Sequence, residues 1–379
     1  MNPPPDEIIL YHILPRLPTK SLIRFRCVCK SWDAFILDPS FLRLRRSATR
    51  TVGRLLFVCP SSAVATSEPH VFSAPLFDGH EDMDPSSATH IATISNRKAS
   101  KVGVQSVNGL LCFHPKNTIC FSSCSDAFVQ ICNPTTRQNV TLPDDTSITN
   151  KFYVSTHFGY DPNRDEFKVL RLLKYRDSHE FKIFTVGDTN NSWRLVTPTM
   201  PINPMTWFLD GKRGLCVNGA IHWKNSSYIM AFDLGNEQFR VIKIPYGYSY
   251  KELMVPHLKF PDLVELSGSL SLIGYSGSVL NLWILKDYEA EKWIQKSIRL
   301  PCGIGAQERI HFPLCRVPTG EILLVPYFVA RRVRVIFHDM EKMSSRRALV
   351  MEMPHPLWPD QHTGDVDIFF YQESFRLLK

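Results

Sequence analysis

Near the start of the chain, apolar side chains recur at a helical period. The first stripe occupies positions i, i+1, i+4, i+5 and i+8 and consists of Ile9, Leu10, Ile13, Leu14 and Leu17. This spacing places all five on one side of an α-helix, so it predicts an amphipathic helix. Pro15 lacks a backbone donor and is expected to end or kink that helix near its last turn.

Two more apolar stripes follow. Leu22 and Phe25 share one side of a second predicted helix, for which Thr19 is the candidate N-cap. The third stripe consists of Val28, Trp32, Phe35 and Ile36, again at helical spacing. Three helices in about forty residues are too small to bury all of these side chains among themselves. Part of this surface is therefore expected to contact either a partner or the rest of the chain.

Beyond residue 50 the apolar period changes to two, which is typical of strands. The clearest predicted strands lie at 55–58, 128–131, 181–184, 221–223, 279–283 and 322–325. Short apolar runs of this kind, separated by Gly, Pro, Asn and Asp, predict an all-β domain.

Glycine-containing turns recur before these strands, and their spacing suggests a repeat. Gly109, Gly219, Gly268 and Gly320 are 110, 49 and 52 residues apart, and Gly53 and Gly159 fill the remaining intervals. Six units of roughly 50 residues fit a β-propeller of the kelch kind, in which small radial sheets leave only short edges exposed. A β-sandwich with a similar number of strands is the alternative. The predicted organisation is a small all-α module at 1–48 followed by an all-β domain at 51–379.

Charge and composition place the chain among globular proteins that do not enter a membrane. Of 379 residues, 44% are hydrophobic and 21% are charged, and no apolar run approaches the ~18 residues of a membrane helix. Residues 1–50 hold nine Lys or Arg and four acidic residues, so they carry +5 of the net +8. A basic helical module suits an acidic protein partner. The rest of the chain has too little net positive charge to indicate a nucleic-acid-binding surface.

The ten cysteines include no C-x-x-C pair, and the first residues do not form a secretory signal. We expect reduced cysteines and a cytoplasmic and/or nuclear protein. Hydrolase, metalloprotease, P-loop and EF-hand motifs are absent from the sequence, which predicts a protein that is not an enzyme and needs no metal or cofactor. His222, beside Trp223 in an apolar strand, is expected to be a packed residue rather than a base.

Aromatic residues in loops bearing Pro and Gly are the candidates for binding a partner protein, because interfaces favour such anchors. They are Trp207, Tyr246, Tyr248, Tyr250, Tyr327 and Phe328. The alternative is that half of them pack between blades.

The run from Glu7 to Trp32, with Leu17-Pro18-Thr19-Lys20-Ser21-Leu22 and Arg26-Cys27-Val28-Cys29-Lys30-Ser31-Trp32, resembles the F-box of plant proteins. The remainder resembles the F-box-associated interaction domain that follows such F-boxes. The resemblance lies in Asn108-Gly109-Leu110-Leu111-Cys112, Asn133-Pro134-Thr135-Thr136-Arg137, Phe158-Gly159-Tyr160-Asp161, Val217-Asn218-Gly219-Ala220-Ile221-His222-Trp223 and Phe232-Asp233-Leu234. Together the two resemblances cover nearly the whole chain.

The resemblance implies a substrate-recognition adaptor of a Skp-cullin-F-box (SCF) ubiquitin ligase. The F-box would dock on the Skp-type adaptor, and through it on the cullin and RING subunits, while the β domain would hold a target protein for ubiquitination. The residues that the resemblance assigns to the adaptor contact are Pro5, Ile8, Ile9, Ile13, Leu14, Leu17, Pro18, Leu22, Phe25, Val28 and Trp32. An F-box protein acting outside a ligase and an unrecognised enzyme on the β domain are the alternatives.

Overall fold

The structure is a computed structural model of the full chain. It describes residues 6–49, 51–59, 70–77, 89–93, 102–115, 118–119, 128–145, 153–175, 178–201, 214–248, 263–276, 279–299, 311–317, 319–326, 332–352, 367–376 and 378.

The amino-terminal module is helical from Asp6 to Thr49. It begins with α1 (Asp6–Ile8), which continues into a π-helical stretch (Ile9–Ile13) and a 3-10 turn (Leu14–Arg16). Three further helices follow, α2 (Thr19–Phe25), α3 (Lys30–Leu37) and α4 (Pro39–Thr49). The predicted end of the first helix near Pro15 coincides with the 3-10 turn, in which Pro15 lies at an N-terminal position that needs no donor.

Three details of this module differ from the sequence expectations. Val28 was predicted to share the stripe of the third helix, but α3 begins at Lys30, and Val28 lies in the preceding turn with 60% of its side chain exposed. Thr19 is the first residue of α2 rather than its cap, and its hydroxyl donates to the Glu373 carboxylate. The fourth helix, α4, was not expected, because Asp38-Pro39-Ser40 is typical of a break. Proline is also compatible with the first turn of a helix, and α4 begins at Pro39 itself.

The β domain consists of six sheets, which we number as blades. Blade 1 contains β25 (Asp367–Tyr371), β1 (Thr51–Cys59), β2 (His70–Phe77) and β3 (Thr89–Thr93) in that spatial order. Blade 2 contains β4 (Val102–Val107), β5 (Leu110–Pro115), β7 (Gln130–Asn133) and β8 (Gln138–Thr141). Blade 3 contains β9 (Tyr153–Asp161), β10 (Glu166–Lys174), β11 (His179–Thr185) and β12 (Arg194–Val196), with β6 (Thr118–Ile119) beside β9.

The other three blades have four strands each among the described residues. Blade 4 contains β13 (Leu215–Val217), β14 (Ala220–Lys224), β15 (Tyr228–Asp233) and β16 (Phe239–Lys243). Blade 5 contains β17 (Leu263–Leu266), β18 (Ser269–Ser276), β19 (Val279–Asp287) and β20 (Lys292–Arg299). Blade 6 contains β21 (His311–Arg316), β22 (Ile322–Pro326), β23 (Arg332–Asp339) and β24 (Ser344–Glu352).

The blades close into a ring through their first strands. In order around the ring, β25, β4, β9, β13, β17 and β21 each contact the next, and β21 contacts β25 again. The predicted six-unit β-propeller is therefore confirmed, and the sandwich alternative is wrong. Apolar residues fill the spaces between neighbouring blades. Between blades 1 and 6, for example, Phe57 and Phe72 pack with Phe337 and Val335, all fully buried.

Tight turns of neighbouring blades meet on one side of the ring, which we call the lower face. The Asn218 side chain donates to the carbonyl oxygen of Gly268 at 2.5 Å, which joins the first turns of blades 4 and 5. Because every blade is an antiparallel meander, the opposite strand ends form a second, upper face. Gly53 and Gly159 lie inside β1 and β9 rather than in turns. A Cβ on Gly159 would be 2.5 Å from the Leu234 side chain of blade 4, so the packing of that blade favours glycine at this position.

Gly109 gives a test of this lower-face packing. Its φ is +79°, and a Cβ there would lie 2.7 Å from the Ser374 Cβ and 2.9 Å from the Gln372 carbonyl oxygen. Gly109→Ala is expected to destabilise the protein by about 1–2 kcal/mol for the backbone conformation and by a further ~1–3 kcal/mol for the overlap. Gly247, with φ +83° and no neighbour within 4 Å of a Cβ, is the matched control. Urea unfolding should show a clearly larger loss for Gly109→Ala than for Gly247→Ala.

Candidate functional site

The helical module exposes large apolar side chains. They are Ile8 (45% exposed), Tyr11 (50%), Ile13 (42%), Val28 (60%) and Leu37 (44%), and we call them the exposed apolar set. Tyr11 is tied to α3, because its ring meets that of Phe35 edge-on at 5.2 Å. Apolar surface of this kind on a small module is a feature of a protein that binds a partner.

The structure sorts the eleven predicted adaptor-contact residues into distinct environments. Ile8, Ile13, Pro18 and Val28 are exposed, while Ile9, Leu17, Phe25 and Trp32 are half-buried. Leu14 and Leu22 are fully buried in the core of the module, and Pro5 lies outside the described residues. This division follows from size, since so small a module must use part of each apolar stripe for its own core.

Two members of the exposed apolar set were not predicted. Tyr11 stands two positions before Ile13, off the stripe that defines the first helix. Leu37 is the last residue of α3, next to the buried Ile36. The apolar stripe of a helix identifies the side that faces the core. Tyr11 and Leu37 lie off that side, so only the presence of large apolar residues outside the stripe could have indicated them in the sequence.

A short segment after β25 attaches the module to the propeller. The Glu373 carboxylate accepts hydrogen bonds from Thr19 Oγ1 at 2.8 Å and from Arg45 Nε at 2.9 Å. Phe375 is 3% exposed and belongs to the core of the module, where its ring lies 6.2 Å from that of Phe41. We call residues 372–376 the brace. It lies at the lower face, because β25 ends there beside the turn that contains Gly109.

The predicted substrate-binding aromatics divide differently. Tyr246 is fully exposed, whereas the ring of Tyr248 packs edge-on against Trp283 at 5.1 Å, with the Lys224 amino group 5.1 Å from its centroid. Trp207, Tyr250, Tyr327 and Phe328 lie outside the described residues. The described strands that flank all six positions, namely β12, β13, β16, β17, β22 and β23, end or begin at the upper face.

Ionisable groups inside the propeller are engaged in its packing. His157 Nε2 lies 2.7 Å from the Ser155 hydroxyl, and the Trp223 indole donates to the same ring. Burial lowers the pKa of His157 to about 3, because a charged ring would lose its hydration. Both His157 and Ser155 are buried between blades, so this hydrogen-bonded pair belongs to the packing of the propeller.

His222 has both ring nitrogens engaged, as expected for a packed residue. Nδ1 lies 3.3 Å from the carbonyl oxygen of Leu215, which only accepts, so Nδ1 donates. Nε2 then accepts from the Tyr288 hydroxyl at 3.0 Å. Burial lowers the pKa of His222 to about 4.

The pH dependence of stability tests this assignment. The unfolded chain binds a proton on His222 near its ordinary pKa of 6.5, whereas the folded protein resists protonation until about 4. Its contribution is therefore fully present above pH 6.5 and is lost as the pH falls toward 4. His222→Gln is expected to lower the slope of unfolding free energy against pH in that window by up to about 1.4 kcal/mol per pH unit. Urea unfolding at several pH values measures this slope, and an unchanged slope would contradict a neutral buried ring.

In the described part of the chain, no group of three or more His, Cys, Asp or Glu side chains is placed to hold a metal ion. Among the described helices, none has the length and apolar character to cross a membrane.

Two family models together cover most of the chain. One, the F-box associated beta propeller domain, matches residues 54–372, and the other, an F-box-like domain, matches residues 5–46. The fold and the helical module thus define an F-box protein with a β-propeller. The chain belongs to the family of F-box associated beta propeller domain proteins, which are substrate-recognition adaptors rather than enzymes.

Relatives from Arabidopsis thaliana support this assignment to plant F-box proteins. The one named "Putative F-box protein At1g47790" is 30% identical over 296 residues, which cover 75% of this chain and 69% of that protein. The F-box protein DOR is 25% identical over 373 residues, covering 93% and 89%. Among solved structures, Porphyromonas gingivalis dipeptidyl peptidase 4 is 9% identical over 77% of this chain and 44% of its own, with a TM-score of 0.36.

Proposed function

We propose that this protein is the substrate-recognition subunit of a Skp-cullin-F-box ubiquitin ligase. The observation that carries the proposal is the exposed apolar set on a helical module that matches the F-box family. Several large apolar side chains that stay exposed after the module has filled its own core are costly in water unless a partner covers them. The Skp-type adaptor is the partner that this family implies.

The charge of the module suits the same partner. Exposed basic side chains flank the apolar residues, including Arg16, Lys20, Arg24 and Lys30. Such charges steer an acidic partner and raise its association rate, while the apolar contacts hold the complex together. We propose an acidic adaptor on these grounds and no nucleic acid.

The upper face is the proposed surface for the substrate. It lies opposite the face that holds the brace, so a protein bound there would not compete with the adaptor for space. Tyr246 is fully exposed at this face, and tyrosine is a common interface anchor. Tyr248, which is packed against Trp283, is better placed to hold the shape of the surface than to reach a partner.

The mechanism we propose is proximity. A substrate held on the propeller keeps its lysines at high effective concentration near the ubiquitin carrier of the ligase, so this chain contributes binding and orientation and no bond-making group. Such a role would place the protein in the cytoplasm and/or nucleus, where the other ligase subunits act.

Co-purification tests the function directly. The wild-type chain, expressed in plant cells with a proteasome inhibitor, is expected to retain both the Skp-type adaptor and the cullin. Retention of the adaptor without the cullin would instead support an F-box protein that acts outside a ligase. Failure of the pure chain to bind the pure adaptor would overturn the proposal.

A further inference from the structure

The strand pair that closes the propeller ring is connected at both of its lower ends to the helical module. β25 pairs with β1 from Arg54–Tyr371 to Val58–Asp367, and this pairing completes blade 1. β1 begins two residues after α4 ends, at Thr49, and the brace begins directly after β25. The pairing of β25 with β1 therefore places the brace beside the module.

The brace supplies the module with part of its core. Phe375 packs with Leu14, Leu22, Ile36 and Phe41. Among the described residues, the core of the module therefore has five buried apolar residues, and one of them, Phe375, lies beyond β25 in the sequence. Its carbonyl oxygen also accepts a hydrogen bond from Arg26 at 2.6 Å.

The brace also forms hydrogen bonds with the propeller. The Asn133 side chain in blade 2 donates to the carbonyl oxygens of Ser374 at 3.0 Å and Arg376 at 2.7 Å. The Thr135 hydroxyl accepts from the Ser374 amide at 3.0 Å. Because the brace is bonded to both the helical module and the propeller, its separation from one of them weakens its contacts with the other.

We infer that the helical module and the closure of the propeller ring form one cooperative unit, joined through Phe375 and Glu373. When β25 separates from β1, Phe375 leaves the module, and a module this small keeps little stability without it. Linkage is reciprocal, so a ligand that binds only the folded module stabilises ring closure, and ring closure raises the affinity for that ligand. If the function proposed above holds, the ligand is the Skp-type adaptor.

Hydrogen exchange of the full-length chain without any partner tests the cooperative unit. Phe375→Ala is expected to speed the exchange of amides in α2–α4 about tenfold or more, and to speed that of β1 residues 55–58 as well, because loss of a buried aromatic ring costs several times the energy of a tenfold change. Glu373→Gln should give a smaller change in the same amides, since it weakens only the contacts to Thr19 and Arg45. Phe375→Leu should restore most of the protection.

Leu378→Ala is the matched control, because Leu378 packs against blades 2 and 3 and is outside the core of the module as far as the described residues define it. It should leave exchange in α2–α4 unchanged. Equal exchange in wild type and Phe375→Ala would overturn the inference, and so would faster exchange in the helices with no change in β1.

Addition of the purified adaptor extends the test to linkage. Its binding should slow exchange at residues 55–58 in the wild type, and Phe375→Ala should weaken binding by about tenfold or more. Wild type that fails to bind, together with the expected exchange pattern of the variants, would overturn the proposed function while supporting the cooperative unit. Adaptor binding that leaves exchange at residues 55–58 unchanged would overturn the linkage.

Discussion

Ile8→Glu combined with Ile13→Glu is expected to weaken binding to the Skp-type adaptor by at least about a hundredfold, because a desolvated carboxylate in an apolar contact costs several kcal/mol. Both side chains are exposed in the free protein, at 45% and 42%, so folding should change by no more than about 0.5 kcal/mol per site. Titration calorimetry with the purified adaptor measures the affinity, and thermal unfolding measures the stability.

Leu195 provides the control for this experiment. It is 57% exposed and lies on the edge strand β12 of the propeller, away from the module. Leu195→Glu should leave adaptor binding as it is in the wild type. Leu14→Glu would not discriminate, because Leu14 is buried and the charge would disrupt the module itself. Unchanged affinity of the Ile8 and Ile13 double variant would remove these residues from the proposed interface.

Asp145→Asn is expected to lower the stability of the protein by about 3–5 kcal/mol, because it removes one partner of a buried ion pair. Lys182 Nζ lies 2.9 Å from both Asp145 carboxylate oxygens, and the Asp145 side chain is only 6% exposed. Arg171 stands directly opposite Lys182 across β10 and β11, so Asp145 offsets two neighbouring cations. Burial lowers the pKa of Arg171 to about 10, and the charge of Asp145 opposes that shift.

Thermal unfolding should show the loss as a fall in Tm of about 4–6 °C. Glu289→Gln is the control, because the Arg240–Glu289 pair is at the surface, with Glu289 84% exposed, and should contribute no more than about 1 kcal/mol. If Asp145→Asn lowered the stability as little as Glu289→Gln does, water would have to hydrate the charges of Lys182 and Arg171 in place of Asp145.

Much of the architecture is encoded in local patterns. The helical stripe that begins at Ile9 and the turns at Gly109, Gly219 and Gly268 predicted a helical module and a six-unit propeller, because periodicity reports which side of an element is buried. The same patterns did not reveal α4, which begins at a proline, or the position of Gly159 inside β9. There the packing of a neighbouring blade, and not a turn, requires a residue without a Cβ.

For the candidate site, the sequence predicted that the helical module binds a partner, but it did not show which of the apolar side chains stay exposed. Leu14 and Ile13 are adjacent in one stripe, yet Leu14 is buried in the core and Ile13 is exposed. That division depends on what else fills the core, and Phe375 is one of the residues that do. No local pattern around Phe375 indicates that it packs with helices more than 300 residues away in sequence.

Residue types at short spacing encode the two parts of this protein, their order, the basic charge of the helical module and the membership in a family of F-box proteins. Three features are visible in the folded protein alone: β25 closes blade 1 against β1, the brace completes the module, and Asp145 faces Lys182 and Arg171. Such contacts join residues far apart in the chain, and their partners are selected by the closure of the ring rather than by any repeating pattern.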